Sequence, residues 1–190
     1  MRLNLNKPGI RALGVAESFR QGQKRSVLAG VVMRSDFVID GVAVGKTAVG
    51  GDDATSSIAS LYRKLRRNDV NLILVSGAIL SLYNIIDVDL LSRKTRLPVV
   101  CLTYKETAGI EGSIRRHFPE GAEKKLEAYA KLGARRGVKL RTGHRLYIRA
   151  SGLDTRSAKP VLDLFTLQGS IPEPVRVAKL FARALLATPS

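Results

Sequence analysis

One cysteine, two histidines and no tryptophan deprive this 190-residue chain of several familiar chemistries. A single thiol, Cys101, excludes an intrachain disulfide. It lies in the apolar run Pro98-Val-Val-Cys-Leu102, which reads as a buried strand and implies an inert core thiol. Neither His117 nor His144 has a Cys or His partner at zinc spacing, so a structural zinc site is excluded. The longest apolar run, Val27 to Met33, is far too short to span a bilayer, and no membrane association is expected. Met1 to Pro8 holds no hydrophobic stretch of signal-peptide length, and the chain reads as cytoplasmic. Acid is scarce as well. Sixteen Asp and Glu face 32 Lys and Arg, giving a net charge of +16. A field of that sign favours nucleic acid, because each neutralised phosphate releases counterions.

What is present is a chain of ordinary apolar content, 45%, organised as a single domain over residues 1–190. Arg11 to Glu17, Ser26 to Arg34 and Phe37 to Val44 read as strands, with Arg34-Ser-Asp36 as a hairpin turn. After Gly50-Gly51 the period changes: Ile58, Leu61, Tyr62 and Leu65 form a helical stripe. Asn71 to Val75 is a strand apolar on both faces, followed by a helix through Ile85, Ile86, Leu90 and Leu91 and a strand from Val99 to Thr103. Ile110, Ile114 and Phe118 mark a helix, and so do Leu126, Tyr129 and Ala130. Val138 to Leu140 and Arg145 to Ala150 are short strands. The last helix sets Val177, Leu180, Phe181, Ala184 and Leu185 against Arg176, Lys179 and Arg183 on the opposite face. Three antiparallel strands followed by alternating helix and strand predict an α/β domain around a mixed sheet.

Gly169-Ser-Ile-Pro172-Glu-Pro-Val-Arg176 leading into that helix resembles the closing segment of endonuclease V, and the segments upstream follow that family in order. The resemblance runs from about Arg11 to Ala187 and implies a ribonuclease H-like three-layer fold, a mixed sheet flanked by helices. It also implies positions for chemistry, and three are lost. Where the family's first strand carries Asp, Leu13-Gly14-Val15-Ala16 has Ala16; where a later strand ends in Asp-Gly, Ser76-Gly77 stands. Where the family has a His after a late strand, Ser151-Gly152-Leu153 has Leu153. A Lys position is kept as Lys105, and a family Glu corresponds loosely to Asp53. The chain resembles more closely an archaeal family distantly related to endonuclease V, whose members commonly carry Asp-Asp where Ala16-Glu17 stands here. On this alignment residues 16, 76 and 153 are expected to meet at the carboxyl-side cleft of the sheet.

Hydrolysis of a phosphodiester with magnesium needs carboxylates to hold the cation. Alanine supplies no ligand and serine a poor one. Glu17 neighbours the lost position, yet alternation sends it to the other face unless the strand ends or bulges there. Asp52 and Asp53 are the best remaining pair, and their simpler role is helix capping. Asp87 and Asp89 read as solvent-facing. Gly41-Val-Ala-Val-Gly45-Lys46-Thr47 lacks the glycine spacing of a phosphate loop. No metal or cofactor is expected, with magnesium at Glu17 and Asp53, assisted by Lys105, if activity remains. The leading reading is a nucleic-acid-binding relative of endonuclease V without hydrolysis, DNA or RNA undetermined. The alternatives are an endonuclease with a rebuilt carboxylate site and a non-enzymatic interaction protein.

The basic charge concentrates in one place. Ala128 to Leu153 contains no acidic residue. If its two strands pair through a turn at Thr142-Gly143-His144, Arg141 opposes Arg145 and Lys139 opposes Tyr147. Lys139, Arg141, Arg145, Tyr147 and Arg149 then share one face, a pattern suited to phosphates and a stacked base.

Overall fold

Residues 9–104 and 109–188 are described by the computed structural model. The early alternation becomes β1 (Arg11–Ser18), β2 (Arg25–Arg34) and β3 (Ile39–Ala48), an antiparallel meander. The third strand begins later than predicted, because Phe37 turns the chain at φ 66° and a bulge interrupts the β2–β3 register beside Asp40. α1 (Ala54–Lys64) follows, burying Ile58 and Leu61. β4 (Leu72–Ser76) then returns parallel to β1.

The segment expected to enter a helix at Ile85 instead forms a small pair, β5 (Ile79–Leu80) and β6 (Asn84–Ile85). α2 (Val88–Thr95) begins only where the Asp87 carboxylate accepts the Leu90 amide, 2.7 Å away. β7 (Val99–Thr103) is parallel to β4. α3 (Glu111–His117) and α4 (Ala122–Lys131) pack on each other and lead to β8 (Arg136–Lys139) and β9 (Arg145–Ser151), which is antiparallel to β7. α5 (Thr155–Leu164) and α6 (Glu173–Ala187) close the chain. The sheet order is β3-β2-β1-β4-β7-β9-β8, the ribonuclease H-like arrangement. No helix of the described residues is long and apolar enough to cross a membrane.

Two cores lie on the two faces of this sheet. Leu13, Val15, Ile73, Val75 and Cys101 meet α1 and α2, while Ala12, Leu72, Leu74, Val100 and Leu102 meet α5 and the start of α6. Burial pushes the Cys101 thiol up to about 12, as befits an inert core group.

α6 seats itself by its small residues rather than its large ones. Ala178 and Ala182 are fully buried, whereas Leu180, Phe181 and Leu185 are exposed. The reason is close approach: a β-carbon on Gly14 would fall 2.2 Å from the Pro174 carbonyl. A helix that near the sheet seats on Val175, Ala178 and Ala182, with no room for longer side chains along that line. Gly14→Ala is therefore expected to cost about 3 kcal/mol or more, since backbone must move on both sides. Urea unfolding checks this, and a variant of native stability would refute the close seating.

Candidate functional site at the carboxyl edge of the sheet

The parallel strands β1, β4 and β7 end together. Val15 pairs with Val75 and Ser76 with Leu102, so Ala16 and Ser76 stand side by side at this edge. Leu153 does not join them. Because β9 runs antiparallel to β7, with Ser151 opposite Val99, the chain reaches Leu153 at the other end of the sheet. The expected meeting of three positions is thus a meeting of two. Lys105 falls outside the described residues.

Alternation divides the edge into two compartments. On the α6 side, Ala16 is fully buried against Val31 and Ala178. Ser76, in register with this face, neighbours the Tyr104 hydroxyl. That phenol is buried, and burial, partly offset by the Ser76 hydroxyl beside it, pushes it up to about 12. Lys179 reaches over from α6 and holds Nζ 4.7 Å from the Tyr104 ring centroid, a cation–π contact. Burial first, and then the Arg183 charge, pull the Lys179 pKa below its ordinary value. No acidic side chain pairs with Lys179 among the described residues, so its charge faces the edge unbalanced.

On the α1 side lie the carboxylates. Glu17 accepts hydrogen bonds from Ser81 Oγ at 2.8 Å and from the Ser81 amide at 3.3 Å. It anchors a strained turn: Ser81, Leu82 and Tyr83 have φ of 20°, 53° and 62°, in a region that favours glycine. Lys125, a buried lysine, donates to Tyr83 O at 3.1 Å and Gly51 O at 2.9 Å, pairs with Asp52 at 3.0 Å and sits beneath the Phe118 ring. Asp52 also pairs with Lys124, at 2.7 Å.

Asp53 occupies the N-cap position of α1, yet its side chain makes no capping bond. Its oxygens accept from Thr47 Oγ1 at 2.7 Å, Asn84 Nδ2 at 2.7 Å, the Ala48 amide at 3.0 Å and Ser57 Oγ at 3.2 Å. Burial alone would raise this carboxyl, but the donors outweigh it and hold its pKa below the ordinary carboxylate range.

These donor sets do not suit a magnesium ion. The Asp53 oxygens are committed to neutral donors, Glu17 is bound to Ser81, and Ala16 and Ser76 offer no carboxylate. Among the described residues no group of three or more His, Cys, Asp or Glu is placed to hold a metal. Asp87 is engaged in capping and Asp89 is exposed.

The basic hairpin reaches the same edge, in a different register from the one expected. Lys139 pairs with Arg145 and Gly137 with Tyr147, two residues from the predicted alignment. Leu140 and His144 extend the ladder, with a bond from the Leu140 amide to His144 O, so only Arg141, Thr142 and Gly143 form the turn. Leu140 is buried, and the Arg141 amide is drawn to Asp163 Oδ1 at 2.7 Å, which fixes the shift. A slip of two preserves parity, so Lys139, Arg145, Tyr147 and Arg149 still share a face. Arg141 lies beyond the strand, and Arg149 is half-buried, donating to Gly133 O at 3.0 Å beside the Tyr129 ring.

Sequence reasoning missed Tyr104, Lys179, Ser81 and Asn84 as members of this region. Only Lys179 left a signal, as a cation on the polar flank of the last helix.

The sequence model of endonuclease dU matches residues 8–186. The chain belongs to that family. A UPF0215 protein from the archaeon Pyrobaculum aerophilum is 38% identical over 173 residues, covering 90% of this chain and 92% of the relative. Among solved structures, a protein of unknown function from Archaeoglobus fulgidus superposes with a TM-score of 0.78 at 23% identity, over 96% of this chain and all of the other. Ciona intestinalis Endonuclease V in complex with a 24mer DNA containing an inosine gives 0.61 at 12% identity, over 98% of this chain and 90% of its own. The fold is therefore shared with endonuclease V.

Asp53→Ala is expected to lose roughly 2–3 kcal/mol, since it strands several buried donors at once. The depressed carboxyl also fixes a sign. Its folded pKa is below the unfolded value of about 3.9, so its contribution is complete above that pH and is lost as pH falls through the folded pKa. Denaturant titrations from pH 7 to pH 2 should show wild type losing more stability than Asp53→Asn; parallel curves would contradict the network.

Proposed function

We propose that this protein binds nucleic acid along the carboxyl edge of its sheet and does not hydrolyse it by a carboxylate–magnesium route. The observation that carries this reading is the juxtaposition of Ala16 and Ser76 with Lys179, an unbalanced half-buried ammonium over Tyr104. An ammonium beside a strand end attracts a phosphate and repels a metal cation. Arg183 extends that charge along α6, and Lys139 with Arg145 add charge at the hairpin end of the same edge, on the opposite face of the sheet. Lys139 faces Arg145 directly, a like-charge pairing that costs stability and that a bound polyanion offsets. Family membership and the net charge of +16 support the nucleic-acid partner, and neither bears on the loss of hydrolysis.

Arg149 and Arg141 belong to this surface less directly than the sequence suggested. Arg149 is held under α4, and we assign it to orienting the hairpin beneath Lys139, Arg145 and Tyr147. Glu17 and Asp53 serve as anchors of the 81–84 turn rather than as metal ligands.

Two measurements test the reading. Fluorescence anisotropy with single-stranded and duplex oligonucleotides across salt concentrations should give a steep log–log slope. Lys179→Ala, Arg183→Ala, Lys139→Ala and Arg145→Ala should each flatten it by about 0.7–0.9 per lost phosphate contact. Purified protein with Mg2+ or Mn2+ should leave inosine- and deoxyuridine-containing DNA, and inosine-containing RNA, intact. Cleavage abolished by Glu17→Ala or Asp53→Ala would replace this reading with that of an enzyme whose carboxylate site has been rebuilt.

A further inference from the structure

Between α2 and α4 the helical cover of the sheet is incomplete, and β9 and β8 floor a cleft of about 800 Å3. It is distinct from the carboxyl-edge site, since Ala16, Ser76, Tyr104 and Lys179 do not line it. We propose that this cleft is a nucleotide site that takes a nucleoside 5′-monophosphate unit.

Its volume lies within the range of small-molecule sites, and its walls are sorted by chemistry. Arg93, Lys131 and Arg136 enter it from α2, α4 and β8. None of the three has an ion pair or side-chain hydrogen bond among the described residues, although four carboxylates line the same cleft. Exposed cations contributed to one cleft by three elements, and unpaired there, fit a phosphate, whose oxygens accept from several donors at once. Val88, Leu132 and Leu153 supply an apolar wall on which the flat face of a base can lie. Two of the lining carboxylates are already spent, Asp87 on the Leu90 amide and Asp154 on the Ser157 amide, both at 2.7 Å. Asp89 and Glu127 are exposed and without such bonds, and they are placed to accept from ribose hydroxyls. An anion alone would leave the apolar wall and these acceptors unused, and a nucleoside alone would leave the cations unused. The monophosphate uses all three.

The nucleotide unit can be free or the phosphorylated end of a strand, and calorimetry separates the two. The full chain is titrated with adenosine and uridine 5′-monophosphates, with adenosine, with inorganic phosphate and with a 5′-phosphorylated oligonucleotide. A monophosphate should bind at least about tenfold more tightly than adenosine or phosphate alone, because each supplies only part of the contacts. Arg136→Glu and Lys131→Glu should each weaken it by about tenfold or more with the thermal melt unchanged. Ala128→Trp, which fills the cleft from α4 without altering charge, should abolish it. An oligonucleotide that competes only when 5′-phosphorylated identifies a strand end, and no competition identifies the free nucleotide. Absence of monophosphate binding at millimolar concentration, or binding indifferent to all three substitutions, would overturn the proposal. Lys179→Ala and Arg183→Ala should leave nucleotide binding intact, so this site and the carboxyl-edge site stand or fall separately.

Discussion

At Gly14 the backbones of β1 and α6 come so close that a single β-carbon would collide with Pro174. This contact fixes where the last helix begins along β1, and with it the position of every later residue of that helix. Ala178 then falls on Ala16, and Lys179 falls over Tyr104. A bulkier pair at the interface would lift α6 away from the strand ends and take the ammonium with it. Packing and site are thus one constraint here: the small residues that let the helix descend also deliver the charge.

The second organising fact is the pleat of β1. Gly14 and Ala16 face α6, whereas Val15 and Glu17 face α1. Moving an acid by one position along such a strand does not relocate it by a few ångströms within one site but transfers it through the sheet. Glu17 therefore meets Ser81 and stabilises a turn of left-handed residues, and Asp53 serves the same turn through Asn84. The α1 side is a hydrogen-bonded polar frame; the α6 side holds the Ser76 and Tyr104 hydroxyls and the Lys179 cation. On the function we propose, that electrostatic environment serves to hold phosphate rather than to activate water on a metal.

Much of the fold was legible because long strands and helices announce themselves by period. The meander, the buried strand at Leu72–Val75 and the capped helices needed no tertiary information beyond burial. The misjudged places are those where tertiary contact overrides period. Ile85 and Ile86 look helical, but Asn84 must stay extended to reach Asp53, so the helix waits for Asp87. The apolar stripe of the last helix pointed to Leu180, Phe181 and Leu185, yet Gly14 demanded alanines beneath it. The hairpin register slipped because Asp163, distant in sequence, holds the Arg141 amide. Leu153 was assigned to the wrong end of the sheet because a segment match carries no strand direction. Of the site itself, the missing acids were readable, whereas Lys179 was readable only as a cation on the polar flank of the last helix, because its place over Tyr104 depends on how α6 seats.

A backbone amide titration by heteronuclear NMR tests the central claim most directly, because it locates nucleic acid without presuming activity. On adding a short oligonucleotide at low salt, shifts should concentrate at residues 76, 104, 139, 145, 179 and 183, and fade together as salt is raised. Shifts confined to other faces of the sheet, or a spectrum unmoved by any oligonucleotide, would contradict an interface at the carboxyl edge.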